Sequence, residues 1–404
     1  MRSSSRCGRA AAPVAALLLL GSSCGQDPVE PGTHGVRQRW YQAQPSGFPN
    51  ARPAVSDDLA YFATGGGFVV ARDLSTGTAR WTTLVGASRH AASPEIDGAN
   101  LVLRNGVLVV PVSFHTSGLD AASGAELWRY EAPLDTIDKA LPRPGYLASA
   151  RIAADENTVY IPAWGATVSA VDVRTGATKW IWRVEPTLEF RSGASGVSVS
   201  GDTVFATIWH NLNRLGGLSE AWLLALDRTT GRELWRVVLP VQGCCVVVAG
   251  APAVWRNLVV MTMVNGYLFA VDRDTRQIAW QVPPKAPQYG LATALISGAA
   301  VYGDVVYANG VDRKIGAFRA SDGQQLWESV EVGQLYDDML VTERHIYASD
   351  GAKLIILDRQ SGVRYSSLGH PRGDDDFVFS ASVAVHKGQV FVPISNGAWS
   401  FDEP

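Results

Sequence analysis

Cysteine is scarce in this chain of 404 residues: four in all, at positions 7 and 24 and as the adjacent pair Cys244-Cys245. Four thiols so arranged exclude a disulfide framework and a zinc site, and no Cys-x-x-Cys-His attaches a haem. Charge is scarce too. Asp, Glu, Lys and Arg make up 18% of the residues and the formal net charge is −3. No basic field therefore points to nucleic acid or to an anionic membrane surface. Beyond the first two dozen residues no run approaches the roughly 20 apolar residues that a membrane helix needs. No Ser-His-Asp order, nucleophile elbow or phosphate loop is present. Gly65-Gly66-Gly67 reads as a hairpin turn between Tyr61–Thr64 and Phe68–Ala71.

What the chain does have is glycine, tryptophan and a repeat. It holds 40 Gly and 13 Trp, and 47% of its residues are hydrophobic, the make-up of a turn-rich β protein with ample core. The pattern Ala-x-Asp-x-x-Thr-Gly-x-x-x-Trp is spelled in full at Ala71–Trp81, Ala170–Trp180 and Ala225–Trp235. Its fixed residues are Asp73, Gly77 and Trp81; Asp172, Gly176 and Trp180; and Asp227, Gly231 and Trp235. Degenerate copies end at Trp128, Trp280 and Trp327, and a worn one runs from Leu357 to Gly362. Successive tryptophans from Trp81 to Trp327 are 47, 52, 55, 45 and 47 residues apart. A period of that length marks a solenoid, an array or a propeller.

Each unit reads as four strands. In one of them a small-residue strand, Gly250–Val254, precedes an apolar strand, Asn257–Val264. An Asn265-Gly266 turn, the strongest short-range hairpin signal, then leads to Tyr267–Val271, the Asp-x-x-Thr-Gly turn and an outer tryptophan strand. In that turn the Asp carboxylate can accept backbone N–H groups while Gly takes the left-handed conformation. The tryptophan then packs between one sheet and the next. Lone twisted sheets cannot bury both faces, so neighbours stack, and closing the ring removes the exposed ends. Intervals beginning at Trp40, Trp81, Trp128, Trp180, Trp235, Trp280, Trp327 and about Ser366 predict an all-β fold, an eight-bladed β-propeller with four-stranded antiparallel blades; seven blades is the alternative. Arg37–Gln44 is an outer strand with no blade before it, and the last unit ends at Trp399–Asp402 without one. The N-terminal strand is expected to close the C-terminal blade.

The domain reading is a signal peptide over 1–24, a flexible tether over 25–36 and the propeller over 37–404. Arg2, Arg6 and Arg9 form a positive n-region, Ala10–Leu20 a short apolar h-region, and Gly21-Ser22-Ser23-Cys24 a small-residue cleavage site. This leader resembles a bacterial lipoprotein signal, in which Cys24 becomes the lipidated first residue. Gly21 departs from the aliphatic residue usual there. Gly25 lacks the acidic residue that often retains lipoproteins at the inner membrane, so the outer membrane is expected over the inner.

The docking motif, with its Asp, Thr, Gly and Trp, resembles that of the quinoprotein or PQQ-repeat propellers, and the resemblance covers about Arg37 to Pro404. Two branches of that family give different expectations. The quinoprotein alcohol dehydrogenases hold pyrroloquinoline quinone and Ca²⁺ on the propeller axis. The BamB-type outer-membrane assembly lipoproteins use a similar eight-bladed ring as a scaffold and bind no quinone. A leader, a short tether and one ring without long insertions look more like the second branch. The resemblance therefore implies a lipid-anchored, periplasm-facing scaffold, monomeric, with an envelope protein as partner, no cofactor and no catalytic residues. A small quinoprotein dehydrogenase oxidising alcohols or sugars, with PQQ and calcium, is the alternative.

That alternative draws on Cys244-Cys245, since the dehydrogenases carry a vicinal disulfide against the quinone at a comparable place. Adjacent cysteines bridge only by distorting the peptide between them; a vicinal disulfide without a cofactor role is expected, and two small packed thiols or a structural ring on the loop are the plainer reading. Polar residues in the loops entering each blade could gather at one mouth of the ring: Arg52, Arg89, His90 and Arg191 early in the chain, Tyr336, Asp337, Asp338, Asp374, Asp375 and Asp376 late. They make a candidate binding face, or simply a solvated rim. Gly373–Asp376 lacks the spacing of a calcium loop, so no metal site is assigned. His210 belongs to the same face, beside an insertion of about eight residues, Asn211–Leu218, since insertions on one face of a repeat ring often bind partners.

Overall fold

The computed structural model describes residues 36–43, 51–64, 66–85, 100–112, 115–133, 151–163, 165–184, 192–211, 219–240, 248–285, 297–333, 335, 337–370, 382–395 and 397–404. Cys24, Arg89, His90, Arg191, Cys244, Cys245, Tyr336 and Asp374–Asp376 lie outside them.

Eight four-stranded antiparallel sheets follow one another along the chain. Their innermost strands are Ala54–Val55, Val102–Arg104, Ala153–Ala154, Ser192–Ser200, Val248–Trp255, Ala300–Tyr302, Leu340–Val341 and Ala384–His386, and they number blades 1 to 8. No described residue is helical. Eight apolar clusters hold the sheets together, one per junction. The cluster of Trp40, Ala60, Phe62, Phe391 and Ala398 joins blade 8 to blade 1 and so closes the ring. The molecule is an eight-bladed β-propeller.

Closure runs as the sequence predicts. Gln38–Ala43 pairs antiparallel with Gly397–Asp402 and supplies the outermost strand of blade 8. Trp40 is buried, and its indole N–H donates to Leu74 O of blade 1 at 2.8 Å.

The same docking recurs around the ring. Indole N–H groups of Trp81, Trp128, Trp180 and Trp280 donate to Ala121, Val173, Arg228 and Ala320 carbonyls of the next blade, at 2.8–3.1 Å. The ring face lies on the turn glycine. A Cβ on Gly176 would fall 2.8 Å from Trp128, and one on Gly231 2.5 Å from Trp180. The turn is local chemistry. Asp172 Oδ1 accepts the backbone N–H groups of Arg174 and Thr175, and Gly176 has φ +72°. In blade 5 Arg276 stands where the others have Gly and still adopts φ +61°.

Innermost strands line the central channel of a propeller. The loops entering them open on the same face as the hairpins between second and third strands. This face is the mouth.

Candidate functional site

The innermost strands, and the residues leading into them, bring one position of each blade together on the axis: Arg52, Asn100, Arg151, Gly196, Gly250, Gly298, Asp338 and Ser382. Short parallel bridges link Arg52 with Asn100 and Arg151 with Gly196. Three consecutive positions are glycine because neighbouring backbones meet there. A Cβ on Gly196 would lie 2.6 Å from Ala251 Cα, and one on Gly250 2.7 Å from Gly298 Cα and 2.9 Å from Asp338 Oδ1.

Most of the polar side chains latch one blade to the next. Asn100 accepts the N–H of Ile152 at 3.1 Å and donates to its carbonyl at 3.0 Å. Thr207 donates to Gly250 O at 3.2 Å and Thr262 to Ser297 O at 2.9 Å. Asp338 Oδ1 accepts the N–H of Gly298 at 2.6 Å. Asp337 Oδ2 accepts that of Ser382 at 2.7 Å. At the junction of blades 8 and 1 the Ser382 hydroxyl and the Arg52 Nε are buried and have no hydrogen-bond partner among the described residues.

Arg151 does something different. From blade 3 it reaches blade 7, four places away in a ring of eight and so directly across the axis. Its Nε donates to Asp338 Oδ2 at 2.8 Å and its Nη2 to Asp337 Oδ1. The side chain is 6% exposed and those of Asp337 and Asp338 are 5% and 19% exposed. Burial pushes the Asp337 carboxyl up, against the pull of Arg151. Burial pushes Asp338 the same way, but there Arg151, Arg52 and the Gly298 N–H prevail and hold it below the usual carboxylate range. Such close carboxylates titrate as a pair. The guanidinium stays charged, since burial is outweighed by its two carboxylate partners.

Of the loop residues expected to gather, the described ones do so in part. Arg52, Asp337 and Asp338 meet at the axis, where the two aspartates are interior groups paired with a cation and not a solvated rim. Arg151 is the participant that sequence reasoning missed. His210 stands on the mouth face but away from the axis, near the end of the second strand of blade 4, buried and 5.2 Å from the Trp222 ring. Arg236 covers the same ring at 4.8 Å, and Trp222 donates to Glu220 at 3.0 Å. Burial lowers the His210 pKa, with Glu220 opposing. Beside it the second and third strands of blade 4, Thr203–Asn211 and Ser219–Asp227, pair as far as Asn211 and Ser219.

A quinone with calcium would require hard oxygen ligands in numbers, six to eight for the ion, and a flat surface for the ring. The described axial residues do not fit that pair. Both axial carboxylates are bound to Arg151, no axial position carries an aromatic ring, and no group of three or more His, Cys, Asp or Glu that could hold a metal occurs among the described residues. Cys244-Cys245 lies outside them.

A second feature of the mouth is an open cleft between the hairpins of blades 5 and 6, with a volume of about 50 Å³. Pro283, Pro284, Val311 and Phe318 wall it. Glu328 stands at its edge and accepts from Lys314 at 3.2 Å and from Lys285.

Against known proteins, the model of the family described as outer membrane protein assembly factor BamB matches residues 30–181 and 165–392. The outer membrane protein assembly factor BamB of Xanthomonas campestris pv. campestris is 24% identical over 314 residues, 67% of this chain and 72% of that protein. Quinoprotein alcohol dehydrogenase PedH of Pseudomonas putida is 28% identical over 143 residues, 32% of this chain. The match spans about a quarter (24%) of PedH's own length. Among solved structures, BamB from Moraxella catarrhalis superposes with a TM-score of 0.64 at 16% identity, over 91% of this chain and 99% of that one. This last likeness speaks to the fold alone.

Proposed function

The chain belongs to the family described as outer membrane protein assembly factor BamB, and we propose that it is an envelope scaffold that binds a protein partner at the mouth of its ring. The observation that carries this reading is coverage. In sequence the chain matches 72% of a BamB and 24% of a quinoprotein dehydrogenase, so it resembles most of the one and a part of the other. The braced axis supports the same reading, because it leaves the loops and hairpins around the mouth, and not a channel, as the surface for recognition. Exposed edges of outer strands offer a second way to dock a partner, by strand addition. In this reading residues 1–24 are a lipoprotein leader, Cys24 carries the lipid, 25–36 is the tether, and the monomeric ring faces the periplasm from the outer membrane. A ring tethered at the membrane would hold its partner without chemistry of its own.

A photo-crosslinking residue at Asp312 or Lys314 on the mouth, compared with one at Thr229 on the opposite face, tests this in intact envelopes. Capture of an outer-membrane barrel-assembly protein from the mouth positions is the expected result. Failure to capture any envelope protein from all three positions rejects the scaffold.

The dehydrogenase reading draws on the match to PedH and on Cys244-Cys245. It requires that purified protein supplied with the quinone and Ca²⁺ reduce an artificial electron acceptor in the presence of an alcohol or sugar. No reduction across a panel of both removes it.

A further inference from the structure

We infer that Arg151 is a built-in substitute for an axial cation: its guanidinium fills the place between Asp337 and Asp338 that a hard metal ion would otherwise take, and so keeps a calcium–quinone pair off the axis. This inference concerns the axis alone and stands or falls separately from whatever docks at the mouth.

Two adjacent carboxylates buried at the centre of a ring demand a positive partner, because an uncompensated charge in such a place is strongly disfavoured. Either a bound cation or a side chain can supply it. Here every carboxylate oxygen is already engaged by the protein. Asp337 Oδ1 accepts Arg151 Nη2 and the N–H of Asp338, and its Oδ2 accepts the N–H of Ser382. Asp338 Oδ1 accepts the N–H of Gly298, and its Oδ2 accepts Arg151 Nε. The planar guanidinium meets one oxygen from each carboxylate, the forked pairing that a lysine ammonium cannot reproduce. Arg52, on the same ring, also acts electrostatically on both aspartates. Two cations and two carboxylates sum to zero, and a divalent ion added to them would leave the buried site with excess positive charge.

Space confirms that the fold is shaped around this arrangement. Gly250 and Gly298 lie beside Asp338, where added Cβ atoms would come within 2.9 Å and 3.2 Å of its Oδ1. Side chains at those positions would displace the carboxylate from Arg151. The axis is therefore built for an internal ion pair.

Thermal unfolding and gel filtration of the full chain test the inference. Wild-type protein incubated with CaCl2, with and without pyrroloquinoline quinone, is expected to show no change in Tm and to retain no quinone absorbance after gel filtration. Arg151→Ala exposes the two carboxylates to each other. Its Tm is expected to fall and then to rise by about 2–4 °C when millimolar CaCl2 or methylguanidinium fills the vacated place. Arg151→Ala combined with Asp337→Asn and Asp338→Asn removes the need for a cation and is expected to ignore both. Retention of quinone by the wild type, or a calcium-dependent rise in its Tm, overturns the inference whether or not the variants fold. So does an Arg151→Ala protein that folds and responds to neither cation.

Discussion

Alanine at Gly176 and at Gly106 separates the strain of a turn from the docking of a tryptophan. Both glycines are left-handed, with φ +72° and +76°. Both substitutions therefore meet the same conformational penalty, about 1–2 kcal/mol per residue, offset by roughly 0.4–1 kcal/mol from the stiffer unfolded chain. Their surroundings differ. A Cβ at Gly106 meets nothing within 4 Å, whereas one at Gly176 lands 2.8 Å from Trp128 Cβ and Cγ. Trp128 is buried and its indole N–H is bonded to Val173 O at 2.8 Å, so the ring cannot tilt away without losing both contacts. A buried tryptophan covers about 150–250 Å². Uncovering about a third of that at roughly 25 cal/mol per Å² removes about 1–2 kcal/mol, and the hydrogen bond adds about 1 kcal/mol. Gly106→Ala should cost about 0.5–1 kcal/mol, and Gly176→Ala about 2–3 kcal/mol more. Urea unfolding followed by far-ultraviolet circular dichroism measures the difference, and a red shift of tryptophan fluorescence reports the undocked ring. Equal losses for the two variants would mean that the glycine serves the turn alone and that the tryptophan does not hold blade to blade.

Other consequences can be measured with the same tools. His115 is fully buried with neither ring nitrogen bonded among the described residues, and burial pushes its pKa down to about 4. Its unfolded pKa is near 6.5, so between about pH 6.5 and 4 the unfolded chain binds the proton first. Stability should then fall as pH drops through that window, by about 3 kcal/mol in all; a flat profile from pH 7 to 5 contradicts it, and His115→Leu should remove the slope. Below about pH 4 a second loss is expected from the turn aspartates. Asp73 is held low chiefly by Ser75 and Arg80, and Asp227 by Thr230. Depressed carboxylates stabilise above their unfolded pKa and lose that effect as pH falls through the folded one, so acid unfolding should shift to higher pH in Asp73→Asn. Trp40→Ala, emptying the closing cluster, should cost about 3–5 kcal/mol and expose the N-terminal strand to limited proteolysis; unchanged protection would show that the ring closes without it.

The fold was legible because its signals are local. Asp172 bonds N–H groups two and three residues on, and Gly176 needs its left-handed φ, so a pattern of eleven residues carries the turn and the tryptophan together. Even ring closure could be read, from an outer strand at Trp40 with no blade before it. The axis was not legible in that way. Arg151 and Asp337 are 186 residues apart, and they meet only because blades 3 and 7 are opposite in a ring of eight; seven blades would set them askew. A signal does exist. The axial residue stands nine positions before a buried aromatic in most blades: Arg52 and Tyr61, Arg151 and Tyr160, Gly298 and Tyr307, Asp338 and Tyr347. Aligned on those aromatics, the units show two arginines, two glycines, an aspartate and a serine in one column, which alignment on the tryptophans obscures. A bulge in the inner strand of blade 5 shifts Gly250 by one place. His210 was legible as part of an insertion but not as a buried ring. Its burial depends on Trp222 across the hairpin and on the Arg236 that covers Trp222 from the next strand.

Whether the ring is an anchored scaffold or a small quinoprotein is tested most directly on protein extracted from its own membranes. Intact mass and the absorption spectrum, taken on one sample, report anchor and cofactor together. A scaffold of the BamB kind predicts a chain beginning at Cys24 with the added mass of its lipid, and no absorbance beyond that of tryptophan and tyrosine. A retained quinone spectrum, on a chain of any mass, would contradict it.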